Sequence, residues 1–80
     1  MVNKKINLDT IDKVQALVGA ATEASFEIDI LTDNFIVNAK SIMGIFSLDR
    51  SSPVNISINA DEGDEGFKAF LERIGEYIVD

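Results

Sequence analysis

Val54-Asn55-Ile56-Ser57-Ile58-Asn59 alternates apolar and polar residues without a break. Successive side chains of a strand point to opposite faces, so this spacing predicts a β-strand with Val54, Ile56 and Ile58 on the buried side. Lys5-Ile6-Asn7-Leu8 repeats the pattern more briefly and places Ile6 and Leu8 inward. From Ser25 to Leu31 it returns, with Phe26, Ile28 and Ile30 on one face and Glu27 and Asp29 on the other. Thr32-Asp33-Asn34 then reads as a tight turn, because Asp and Asn tolerate left-handed φ, and a further strand runs from Phe35 to Ala39.

Between the strands the period changes. From Thr10 to about Glu23, Ile11, Val14, Leu17, Val18 and Ala21 recur at three- and four-residue spacing, which predicts a one-sided helix with Asp9 as its N-cap. A second long helix begins in the acidic segment Asp61-Glu62-Gly63-Asp64-Glu65, where negative charge suits the positive end of the helix dipole. Its apolar stripe is Phe67, Phe70, Leu71, Ile74, Tyr77 and Ile78. The element order is therefore strand, helix, strand, strand, short helix, strand, helix. Strands with one polar face and helices with one apolar face pack most economically as an α+β open-faced sandwich, an antiparallel sheet of four strands with every helix on one side.

Composition narrows the function. The chain has 80 residues, 46% of them apolar, which suits a single domain spanning 1–80 held together by packing alone. It contains no cysteine, which excludes disulfides and thiolate metal sites and suits a reducing cytoplasm. No apolar run approaches the ~18 residues of a membrane span. Fourteen acidic residues against seven basic ones give a net charge of −7, unfavourable for nucleic acid or an anionic membrane. There is no histidine, so the commonest general base and the commonest metal ligand are both missing. Asp9 and Asp12 could be imagined as an acid–base pair, but helix-start chemistry accounts for them. The Asp61–Glu65 run lacks the twelve-residue ligand spacing of an EF-hand. Neither a cofactor nor a metal is expected, and the chain is not expected to be an enzyme.

The remaining signal lies in Lys40-Ser41-Ile42-Met43-Gly44-Ile45-Phe46-Ser47-Leu48. Ser41 stands where an N-cap belongs, and Asp49 or Ser51-Ser52-Pro53 can end the short helix that follows. At about 100° per residue its five large apolar side chains cover an arc of roughly 220°, where core contact needs about 100°. Ile45 and Leu48 cluster near 270° and are expected to face the core, while Ile42, Met43 and Phe46 fall between about 0° and 100° on the other side. Three large apolar side chains away from the core predict a surface for a protein partner, or else a shallow second contact with the core.

Lys40-Ser41-Ile42-Met43-Gly44 with Ser47-Leu48, taken with the element order and length, resembles the HPr family, the small phosphocarriers of the bacterial sugar phosphotransferase system. In that family a histidine in a Gly-x-His-x-Arg-Pro segment capping the first helix accepts phosphate from Enzyme I. Here Asn7-Leu8-Asp9-Thr10-Ile11-Asp12-Lys13 stands in its place and supplies no imidazole, guanidinium or proline. A second family site is a serine opening the short helix, phosphorylated by an ATP-dependent HPr kinase in Gram-positive bacteria; Ser41 matches it. Partners of the family dock beside that serine, which points to Ile42, Met43 and Phe46, with Lys40 placed to tune a phosphate. The resemblance implies a regulator of carbon metabolism, like the histidine-lacking members of the family. Its partners would be proteins: HPr kinase, a transcriptional regulator or a phosphotransferase system component. The competing expectations are a phosphocarrier, which the missing histidine disfavours, and an interaction domain of unrelated role.

Overall fold

β4 (Val54–Ile58) is the strand around which the sheet is assembled in the computed structural model, which describes residues 1–79. It is flanked by β1 (Val2–Ile6) and β2 (Ile28–Leu31), and β3 (Ile36–Asn38) closes the far side, giving an antiparallel sheet in the order β1-β4-β2-β3. Register brings the apolar positions opposite one another: Ile6 against Val54, Ile30 against Ile56 and Ile28 against Ile58. These six side chains are all buried. Such cross-strand pairs are the unit of sheet stabilisation, so the alternation of β4 fixes the faces of both its neighbours.

Three helices complete the fold: α1 (Ile11–Glu23), the short α2 (Ile42–Phe46) and α3 (Glu65–Ile74). Val14, Leu17, Ala20 and Ala21 of α1 and Phe67, Phe70 and Ile74 of α3 join the isoleucines of the strands in one core. Asp64 caps α3 by accepting from the N–H groups of Gly66 at 2.7 Å and Phe67 at 3.3 Å. Phe26 meets Phe70 edge to face, with ring centroids 6.2 Å apart. Arg73 of α3 pairs with Glu23 at the end of α1. No helix among the described residues is long and apolar enough to cross a membrane.

Several boundaries differ from the sequence expectation. The N-cap of α1 is Thr10, whose hydroxyl accepts from the Lys13 N–H at 3.3 Å; Asp9 instead forms an ion pair with the Lys13 side chain at 2.8 Å. Strand β1 starts at Val2, ahead of the Lys5 read from the sequence, because all five of its residues pair with β4. Lys4 thus takes a core-facing position at the sheet edge, where a long side chain can cover apolar surface and keep its ammonium in water. The Thr32–Asn34 turn uses no left-handed residue. It closes through Thr32, whose N–H donates to the Phe35 carbonyl at 2.9 Å and whose hydroxyl accepts from the Phe35 N–H at 3.2 Å.

The last apolar stripe is not one helix. After Ile74 the chain tightens into a 3-10 turn at Gly75–Tyr77, and Ile78 then bridges Ile6 in antiparallel fashion. Asn7 donates to the Tyr77 carbonyl at 2.8 Å and Val79 to the Lys5 carbonyl at 3.0 Å. Tyr77–Val79 therefore cover the free edge of β1 at Lys5–Asn7, which removes unpaired backbone groups there that another molecule could recruit.

Candidate functional site

Asn38 shapes the entry to α2. Its side-chain oxygen accepts from the Lys40 N–H at 2.8 Å and its carbonyl from the Ser41 N–H at 2.9 Å, which turns the chain out of β3. Ser41 then sits in extended backbone, with its Oγ accepting from the Gly44 N–H at 3.3 Å and its carbonyl accepting from Ile45 at 3.0 Å. This is the N-cap arrangement expected from the sequence. Ser41 and Lys40 are both exposed, and among the described residues the Ser41 hydroxyl donates to no protein group. At the far end the Ser47 hydroxyl donates to the Gly44 carbonyl at 2.6 Å and terminates the helix, a role the sequence had offered to Asp49 or the Ser51–Pro53 run. Asp49 instead accepts from the Ser51 hydroxyl at 2.7 Å and the Ser51 N–H at 3.0 Å, which together hold its carboxyl below the usual range.

Gly44 is required by close approach. A Cβ there would stand 2.8 Å from Val37 Cγ1 on β3 and 2.9 Å from Ser41 Oγ. Its absence lets α2 lie directly on β3.

The core side is as the wheel angles suggested: Ile45 is buried, and so is Leu48, although the helix ends at Phe46 and Leu48 lies in the turn beyond it. On the other side the outcome differs within the group. Met43 is 76% exposed, whereas Ile42 and Phe46 are half-buried and pack against the core. The five-residue helix lies low enough on β3 for its flanks to touch neighbouring elements, so Met43 is the one large side chain of α2 that stands fully in solvent.

The connection from β1 to α1 is closed. Leu8 is buried, Asp9 donates its N–H to Asn7 Oδ1 at 3.1 Å, and the Lys13 ammonium hydrogen-bonded to Asp9 holds that carboxyl below its ordinary value. Lys13 also lies 5.8 Å from the centre of the Tyr77 ring. Asp9 and Asp12 are thus not an acid–base pair: Asp9 is committed to a lysine, and Asp12 lies in the first helical turn. Sequence reading missed Arg50. Its guanidinium donates to the Leu8 carbonyl at 2.8 Å and lies 5.3 Å from the centre of the Phe46 ring, so it ties the loop after α2 to this connection from 42 residues away. The segment itself lacks a guanidinium, and one arrives from elsewhere, already engaged. Nothing local in the sequence marks such a contact.

Among the described residues no three His, Cys, Asp or Glu side chains are grouped so that they could hold a metal ion. A shallow cleft between the β2–β3 turn and the loop after α2 is lined by Thr32, Asp33, Asn34, Phe35, Asp49 and Pro53 among others. It contains no paired nucleophile and base, and Ser41 lies outside it.

The chain matches the family model described as PTS HPr component phosphorylation site over residues 12–80. Asn7 to Ile11, most of the closed connection, lie outside that match. A crystal structure of HPr-C-His from Thermoanaerobacter tengcongensis is similar, with a TM-score of 0.69 and 30% identity, covering 95% of this chain and 93% of that one. A crystal structure of a phosphocarrier protein HPr from Bacillus anthracis has a TM-score of 0.64 and 28% identity, covering 91% of this chain and 95% of its own. No curated protein matches the sequence significantly.

Proposed function

Because the chain belongs to the HPr family yet contains no histidine, we propose that it is a non-catalytic, docking member of that family, switched at Ser41 and not charged as a phosphocarrier. The observation that carries this reading is the complete absence of histidine from the 80 residues. Relay of phosphate through a phosphoimidazole needs a ring nitrogen, and none exists. The closed Asn7–Thr10 connection supports the same reading, since its one buried side chain is leucine and its carboxylate is paired with Lys13.

Residues 1–80 act on this reading as one domain that meets protein partners through α2. Met43 is the exposed apolar contact, Ile42 and Phe46 form the half-buried floor beside it, and Lys40 flanks the switch. The Ser41 hydroxyl is exposed and projects from an N-cap, so a phosphate added there gains neighbouring backbone N–H groups without disturbing the core. Its two negative charges would oppose docking by an acidic partner and favour an arginine-bearing one. The setting is regulation of carbon metabolism in the cytoplasm, with HPr kinase, a transcriptional regulator or a phosphotransferase system component as the partner classes.

Incubation with an HPr kinase and ATP tests the switch. The expected result is one phosphate on the wild-type chain, localised to Ser41 by fragmentation, and none on Ser41→Ala. A wild-type chain that stays unmodified while a serine-bearing HPr in the same reaction is phosphorylated would remove Ser41 as a switch.

A further inference from the structure

Two cations meet at the connection between β1 and α1, and each joins it to an aromatic ring from a distant part of the chain. Lys13 pairs with Asp9 at 2.8 Å and lies 5.8 Å from the centre of the Tyr77 ring. Arg50 donates to the Leu8 carbonyl at 2.8 Å and lies 5.3 Å from the centre of the Phe46 ring. Both rings attract the charge beside them. Tyr77 belongs to the strap that Tyr77–Val79 form along the β1 edge, and Phe46 ends α2. Three consecutive residues, Asn7, Leu8 and Asp9, are therefore the joint at which the strap and α2 meet.

The strap itself is lightly held. Asn7 N–H donates to the Tyr77 carbonyl at 2.8 Å and Val79 N–H to the Lys5 carbonyl at 3.0 Å, with Ile78 bridging Ile6 between them. Val79, at its outer end, is half exposed. A short segment with so few bonds opens locally, ahead of the core. The Arg50 contact also yields readily. Its Nε is buried without a hydrogen-bond partner among the described residues, so the guanidinium gives up solvation there that it does not recover.

We infer that the strap and α2 are coupled through this joint. When Tyr77–Val79 leave the β1 edge, Asn7 N–H loses its acceptor and Lys13 its ring, the Leu8 carbonyl is no longer held in line for Arg50, and Arg50 loosens its hold on Phe46. The two-state element is the strap, on or off the edge, and the element it biases is α2. Coupling of this kind is reciprocal, so a change that frees Arg50 also frees the strap. Use of the strap as a control on docking rests on the reading of α2 as a partner surface; the coupling itself holds whether or not Ser41 is a phosphorylation site.

Native-state hydrogen exchange, followed amide by amide, reads both directions. Asn7 and Val79 report the strap, Ile45 and Leu48 report α2 and its end, and Ile56 of β4 reports the core. Arg50→Met keeps the length of the side chain and removes its charge and donors. In it, exchange at Asn7 and Val79 should quicken about fivefold or more relative to Ile56, the lower end of ordinary coupling between sites. In Tyr77→Ala, Ile45 and Leu48 should quicken relative to Ile56 in the same way. Should Tyr77→Ala lose the protection of the core, Tyr77→Leu keeps the bulk, takes away the ring beside Lys13 and reads the same coupling. Strap amides that exchange at the wild-type rate in Arg50→Met would overturn the inference, as would α2 amides that keep the wild-type rate in the Tyr77 variants. Equal quickening at all five amides would overturn it too, because it reports a loss of global stability and no coupling.

Discussion

Gly44 shows how one residue holds the site together. Helix propensity alone favours alanine over glycine by about 1 kcal/mol. Here the added methyl meets Val37 Cγ1 and Ser41 Oγ at under 3 Å. Val37 is β-branched with a short, stiff side chain, and Ser41 is the cap of the same helix, so neither yields without loss. Overpacking of this kind costs about 1–3 kcal/mol, so Gly44→Ala is expected to lower stability by about 1 kcal/mol in urea unfolding despite the propensity gain. An alanine variant as stable as the wild type would mean that α2 can lift off β3. The same scale shows what the sequence concealed. Ser41 was legible because a cap is a local interaction. Arg50 was not, because its partner is the Leu8 carbonyl in another segment. Thr10, and not Asp9, is the α1 cap, because the helix starts one residue later than the sequence suggested and leaves Asp9 to pair with Lys13.

At the scale of the element, α2 is divided between core and surface. Ile45 is fully buried and Met43 largely exposed, two positions apart. Ile45→Ala is therefore expected to cost about 2–5 kcal/mol, while Met43→Ala should change stability by no more than about 0.5 kcal/mol. Thermal or urea unfolding of the two variants measures both. A large loss at Met43 would show that its side chain supports the fold and would weaken its assignment to a partner surface. Periodicity located the core half of this helix correctly, since burial follows from angle. It overstated the free half, because a helical wheel does not register how deeply a short helix sits on the sheet. The same limit explains the last element. Its stripe continues to Ile78, but hydrogen bonding to β1 draws the final residues out of the helix and onto the sheet edge.

At the scale of the molecule, the order of elements and the inward faces of the strands were readable because β4 alternates cleanly and both neighbours follow its register. The resemblance to the HPr family, read first from Lys40–Leu48 and the element order, agrees with the family match over residues 12–80 and with two HPr crystal structures at TM-scores of 0.69 and 0.64. On the proposed reading, the scaffold of the family is retained while the histidine is missing, since the chain contains none. The most direct test is phosphate transfer from phosphoenolpyruvate through Enzyme I, read by intact mass spectrometry with a histidine-bearing HPr in the same tube. The account predicts that the HPr control gains a phosphate and this chain gains none. A phosphate acquired by this chain under those conditions would reveal another acceptor and contradict the account.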